Sequence, residues 1–339
     1  MMRNLSIFRG IFRGFCCLYL VANDVQGTES TLSKSVNMQT SPEWARIYAE
    51  IRESLTTDQI YAILDRGIEL ASRTDLANTL ADGGTAFFPH CDIRECGDQI
   101  AAVVHASLQA CANTGKDQIL LIGVMHTLTK TLQEAYLREK EGNIFNDPCR
   151  GIFGPGLPNE ELFCKEFSLD SFVFLLEQAA KRKGIQAPNV VMRYPNLVAG
   201  QPEFLPGIEE LKQLAAESIV VATGDLCHYG TAYVSSRQAL DGIEEKMPIS
   251  QAAHGYAYKT IEENLHFLSG HDLLAYRKYC FETFSDTCEV GQMLRFLLGP
   301  LEGHIRDLKL VDVSEYFPNK PQPNWVAATL VELKSKNFR

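Results

Sequence analysis

The chain has 339 residues, 42 of them acidic and 32 basic, which gives a formal net charge of −10 at pH 7. Hydrophobic residues make up 45% of the sequence, which excludes a largely disordered chain. The acidic balance argues against a nucleic-acid-binding protein, which usually presents a basic face. No run of about 18 apolar residues occurs, so the sequence predicts no ordinary transmembrane helix.

The first 23 residues differ in composition from the rest of the chain. Arg3, Arg9 and Arg13 occur there without any acidic residue, and a short apolar run follows over 15–22. A secretory signal, an arginine-rich organellar leader and a disordered leader all fit this pattern. We therefore assign residues 1–38 to a leader and 39–339 to one folded domain. We expect a cytoplasmic protein unless residues 1–23 direct it to the secretory path or an organelle.

Strand and helix patterns alternate through the folded part. Apolar spacing predicts helices over 43–55, 57–72, 98–113, 167–183, 206–217, 250–268, 271–284 and 288–299. Strands are predicted over 85–89, 118–124, 189–194, 218–223, 306–313 and 326–332, and a long surface loop over 139–160. This order predicts an α/β domain with a mainly parallel or mixed central sheet and helices on both faces.

Three predicted strands are each followed by a histidine, and these are His90, His126 and His228. Ligands of open α/β sheets bind at the carboxyl ends of the strands. Three imidazoles meeting there would suit a divalent transition metal. A metal site also needs an anionic ligand, for which the candidates are Asp225, Glu166 and Cys288. Cys288 opens a predicted helix, and a thiol at that position is expected to have a lowered pKa.

Other interpretations of these residues stay open. Each histidine alone fits a loop or capping position, and Cys288 fits a core-facing helix position. Most of the ten cysteines are predicted to be reduced and buried, since no CxxC pair occurs. The sequence contains no phosphate-binding glycine loop, no GxSxG elbow and no HExxH motif.

The order of these motifs resembles the Memo family, whose fold is similar to that of class III extradiol ring-cleaving dioxygenases. The resemblance covers about residues 80–333 and is carried by Pro89-His90, Gly123-x-x-His126, Glu166-x-Ser168, Gly224-Asp225-x-x-His228-Tyr229-Gly230 and Thr287-Cys288. It implies that His90, His126 and Cys288 bind a metal ion, and that Asp225 and His228 line the same pocket. The dioxygenases have a glutamate where Memo proteins have the cysteine.

Several family positions differ in this chain. The glycine and tyrosine expected after the first histidine are replaced by Cys91-Asp92, and the second histidine of a paired motif is replaced by Thr127. The histidine expected after Glu166 is Phe167. The resemblance therefore implies that the metal ligands are kept while substrate choice differs.

Three functions follow as hypotheses. The first is a metal-dependent oxidoreductase, dioxygenase-like, with Fe(II) or Cu at His90, His126 and Cys288, and with His228 as general acid or base beside Asp225. The second is a non-catalytic adaptor that binds a small molecule or peptide in the same strand-end pocket. The third is a hydrolase with Cys288 as nucleophile and His228 as base. The sequence predicts no oligomeric state.

Overall fold

Four short apolar strands form the parallel centre of the sheet. They are β1 (Thr85–Phe88), β2 (Gln118–Ile122), β4 (Asn189–Asn196) and β5 (Ile219–Thr223). The computed structural model describes residues 41–126, 144–158, 166–233, 246–283 and 285–336. The strand order is β4-β2-β5-β1, with every neighbouring pair parallel. All four carboxyl ends therefore lie at one edge of the sheet.

Antiparallel strands extend the sheet on both sides. They are β3 (Gly151–Phe153), β6 (His228–Tyr229), β7 (Leu301–Asp312) and β8 (Trp325–Ser335). β3 pairs with β4, and β8 pairs with β1, β6 and β7. The whole is one mixed sheet in a single α/β domain, as the alternating strand and helix patterns predict.

Helices cover both faces of the sheet. One face packs against α1 (Ser41–Ser54), α2 (Thr57–Ser72), α3 (Leu76–Ala81), α4 (Ile93–Thr114) and α5 (Asp170–Lys183). The other packs against α6 (Ile208–Glu217), α7 (Gln251–Ser269), α8 (Leu273–Thr283) and α9 (Cys288–Leu298). No helix of the described residues is long and apolar enough to cross a membrane.

The strand side chains alternate between two apolar cores. Leu121 and Val221 belong to the core on the α4 side, whereas Leu120 and Val220 belong to the core on the α9 side. Successive side chains of a strand point to opposite faces of a sheet. An uninterrupted apolar run is therefore required where both faces are covered, and this is why the strands were recognisable in the sequence.

The structure corrects several predicted boundaries. The described part of the predicted loop 139–160 contains β3 and buries Cys149 and Arg150, so it is not a plain surface loop. Helix α4 begins at Ile93 rather than at 98, because the Asp92 side chain accepts the backbone N–H of Arg94 and caps the helix. Strand β7 begins at Leu301 rather than at 306. The predicted leader 1–38 lies outside the described residues.

Candidate metal centre

The parallel edge of the sheet collects histidines and carboxylates from separate segments. His90 follows β1, His126 follows β2, and Asp225 follows β5, with His228 at the start of β6. Asp286 joins them from the turn between α8 and α9. The predicted meeting of the three histidines at one edge is thus seen in the geometry, while their role as ligands stays a prediction.

The Oδ2 atom of Asp286 lies at the centre of the three imidazoles. The Nε2 atoms of His90, His126 and His228 lie 3.2 Å, 3.8 Å and 3.9 Å from it. The Oδ2 of Asp225 lies 3.6 Å from the Nε2 of His90 and 3.9 Å from that of His228. Each histidine therefore directs its Nε2 toward Asp286, and His90 and His228 direct it toward Asp225 as well.

Hydrogen bonds at the outer ring nitrogens determine the tautomers of two histidines. The Thr223 hydroxyl donates to the backbone carbonyl of Phe88 at 2.8 Å, so it accepts from the Nδ1–H of His90 at 3.2 Å. Glu166 Oε1 accepts from the Nδ1–H of His126 at 3.0 Å. The Nε2 atom of each neutral ring then carries a lone pair that faces the cluster, as a metal ligand requires.

A reciprocal pair of backbone contacts positions Asp286. Its Oδ1 accepts the backbone N–H of Asp225 at 2.7 Å, and its own N–H donates to the Asp225 carbonyl at 3.3 Å. The turn approaches β5 closely because residue 224 is glycine, and a Cβ at Gly224 would overlap the Cγ2 of Thr287. The contacts leave Oδ2 of Asp286 free to face the histidines.

The electrostatics of the cluster favour bound positive charge. Burial lowers the pKa of His90, but Asp225 and Asp286 outweigh that effect and raise it above its usual value. Burial opposes protonation of His126 too, yet Glu166 and Asp286 raise its pKa to about 10. Burial alone would raise the pKa of Asp286, but the imidazoles, with His90 first, hold it below the usual value. The carboxylates thus stabilise a cation among the histidine rings.

The side chains at this edge of the sheet could hold a metal ion. The side chain of Asp225 is only 5% exposed, and within the part of the chain that the structure describes its Oδ1 atom has no hydrogen-bond partner. Burial raises the pKa of this carboxyl group. A buried carboxylate oxygen without a partner is costly, and coordination of a cation would offset that cost. Two groups of side chains could hold an ion: His90, His126 and Asp286, and Asp225, His228 and Asp286.

Cys288, by contrast, lies in neither group, so the described residues place Asp286 where the sequence analysis expected the thiol. The Cys288 thiol instead lies 3.4 Å from the Nε2 of Gln292 and contacts Cys280. The expectation of a lowered thiol pKa is wrong. The contact with Cys280, together with burial, raises the pKa of Cys288 well above its ordinary value, which outweighs the helix N-terminus.

Aromatic rings enclose the histidines. Phe167 stacks on His126 with ring centroids 4.8 Å apart, and Tyr233 lies against His228 at 4.4 Å. Tyr48 of α1 contacts Phe167 at 5.2 Å. Burial, followed by nearby groups that include Asp225, raises the pKa values of Tyr48 and Tyr233 well above the usual value, so both phenols stay neutral. The cluster therefore has an apolar wall with neutral hydroxyl groups.

The sequence did not predict Asp286 as a site residue, nor the aromatic rings of Phe167, Tyr233 and Tyr48 around the histidines. Asp286 stands two residues before Cys288 in a turn between predicted helices, a position from which an acidic side chain can reach a strand-end site. The contact of Tyr48 with Phe167 joins residues that lie far apart in the sequence, so it has no local signal. Comparison with known proteins adds no identification, since no family model and no curated protein matches the chain.

Proposed function

We propose that the protein is a metal-dependent oxidoreductase with a divalent iron site at His90, His126 and Asp286. The observation that supports this proposal is the donor set itself, two histidines and one carboxylate whose ligand atoms all lie within 4.8 Å of one another. Two histidines and one carboxylate form the facial triad of non-haem Fe(II) oxygenases, which leaves other coordination positions open. A bound ferrous ion would supply oxygen activation there.

The surrounding residues would orient the ligands and limit water. Glu166 and Thr223 hold the two imidazoles with Nε2 directed inward. Phe167 and Tyr233 cover ring faces and reduce solvent access. The side chain of His126 is 27% exposed and that of Asp286 is 19% exposed, so a small molecule would enter on their side. With one ion bound, His228 would be the remaining imidazole able to hold or release a proton at Nε2.

The donor set also favours iron over copper in this proposal. The prediction of Fe(II) or Cu from the sequence depends on the soft thiolate of Cys288 as a ligand. Replacement of that ligand by the carboxylate of Asp286 removes the preference for a soft metal.

The second hypothesis, a non-catalytic adaptor, predicts that the protein consumes no oxygen above background. Metal-free protein would be loaded with Fe(II) under anaerobic conditions, and oxygen uptake would be measured with ascorbate as the reductant. We expect wild type to exceed the same concentration of free Fe(II) and His90→Ala to fall to that background. The matched control is His254→Ala, which removes an exposed histidine of α7 and should behave as wild type. Uptake by wild type at the background level would instead favour the adaptor.

A further inference from the structure

The ligand atoms at the sheet edge form two groups rather than one. His90, His126 and Asp286 form the first group, and Asp225, His228 and Asp286 form the second. Within each group the ligand atoms all lie within 4.8 Å of one another, and Asp286 is common to both. The resemblance to Memo proteins implies one metal ion only, so the second group needs its own explanation.

Bond lengths limit how many of these side chains one ion can bind. Nitrogen and oxygen ligands lie roughly 2.0–2.2 Å from a transition metal, so two ligand atoms of one ion are at most about 4.4 Å apart. Each group of three fits inside that limit around the shared Asp286 Oδ2, which lies 3.2 Å, 3.8 Å and 3.9 Å from the Nε2 atoms of His90, His126 and His228. The five side chains together do not form one such group. The arrangement therefore matches two adjacent positions better than one.

Asp225 supplies an independent observation for the second position. Its carboxylate is buried, and among the described residues it pairs with no lysine or arginine. Its Oδ1 atom accepts no hydrogen bond from any of the described residues. A ligand set limited to His90, His126 and Asp286 would leave this buried charge without a full complement of partners. A second cation beside it would supply them.

We infer that Asp286 bridges two divalent metal ions, one held with His90 and His126 and the other with Asp225 and His228. The inference rests on the proposed metal-dependent function and deepens it. It assigns Asp225 and His228 a ligand role in the doubly loaded protein, in place of the proton transfer predicted from the sequence. Ions that share a bridging ligand typically lie about 3.5–4 Å apart, close enough for both to contact one substrate group.

Stoichiometry and magnetic coupling test this inference directly. Metal-free wild type would be dialysed against Mn(II), and bound manganese would be counted by elemental analysis. Electron paramagnetic resonance of the same sample would detect exchange between the ions. We expect two ions per chain with an exchange-coupled spectrum. The variants His126→Ala and His228→Ala should each retain one ion and give an uncoupled spectrum, and His254→Ala should retain two.

The possible results separate this inference from the proposed function. Saturation of wild type at one ion per chain would overturn the second position and leave the first proposal standing. No bound ion would overturn both. Two ions without exchange coupling would overturn the bridging role of Asp286. The wild-type spectrum decides these cases even where a variant fails to fold, and circular dichroism of the metal-free variants identifies such a failure.

Discussion

Glu166 holds both the backbone and the side chain of His126. Its Oε2 accepts the backbone N–H of His126 at 2.5 Å, and its Oε1 lies 3.0 Å from the ring Nδ1. Burial raises the pKa of Glu166, but the His126 imidazole and the backbone N–H groups outweigh it and hold that pKa below the usual value. A charged carboxylate thus orients the imidazole from behind, although Glu166 lies on a different segment from β2.

The substitution Glu166→Gln should weaken metal binding by about 10- to 100-fold, because a neutral amide orients the His126 ring less firmly and lowers its basicity. The measurement is a titration of metal-free protein with Mn(II). Glu177→Gln, an exposed position of α5, is the matched control and should bind as wild type does. Equal affinity in wild type and Glu166→Gln would show that the contact does not support a ligand.

The substitution Gly224→Ala should displace the turn that carries Asp286, since the added Cβ meets the Thr287 side chain. We expect a loss of about 1–3 kcal/mol in the free energy of unfolding and weaker metal binding. Urea unfolding of the metal-free protein measures the first effect. Gly255→Ala in α7 is the control, because a Cβ there meets no atom within 4 Å. That variant should gain roughly 0.5–1 kcal/mol. Similar stability changes in the two variants would contradict the close approach.

Sequence patterns were sufficient for the elements that depend on local rules. The apolar runs at β2 and β5 identified strands buried on both faces, and the histidines that follow strands converge because the central strands are parallel. Asp286, which forms the first group with His90 and His126, could not be identified from such local patterns. Asp286 lies in the turn, and Cys288, two residues later, begins α9. Which of them faces the site depends on the hydrogen bond that the Asp225 backbone N–H donates to the Asp286 side chain.

Glu332 contributes stability that depends on pH. Its buried carboxylate accepts from the Arg306 Nε at 2.7 Å and from the Thr79 hydroxyl at 2.6 Å. Burial raises its pKa, but these hydrogen bonds outweigh that effect and lower the pKa in the folded state. The contribution is therefore complete above the unfolded-state pKa of about 4.3 and is lost as the pH falls through the lower folded-state pKa.

The substitution Glu332→Gln should accordingly lower the free energy of unfolding by about 1–3 kcal/mol at pH 7. The loss should be smaller at pH 3.5 or below, because pH 3.5 is ~1 unit under the unfolded-state pKa of the glutamate. Urea unfolding at both pH values measures the two differences. Glu302→Gln, an exposed position on the neighbouring strand β7, should change stability little at either pH. A cost for Glu332→Gln that is the same at both pH values would contradict the ionised state of this carboxylate.

The Cys288 thiol should react slowly, which bears on the third hypothesis of a cysteine nucleophile. Its contact with Cys280 and its burial raise its pKa, so little thiolate is present near neutral pH. Alkylation by iodoacetamide at pH 7.5, followed by peptide mass spectrometry, should be at least about 10-fold slower in native than in urea-unfolded protein. Equal rates would restore the nucleophile hypothesis.

The identity of the anionic ligand in the first group tests the account most directly. Metal content would be measured by elemental analysis on wild type, Asp286→Asn and Cys288→Ser, each reconstituted with Fe(II) under reducing conditions. The geometry predicts that iron is retained in Cys288→Ser and lost in Asp286→Asn, because Asp286, and not Cys288, groups with His90 and His126 among the described residues. Iron retained in Asp286→Asn and lost in Cys288→Ser would contradict the proposed centre.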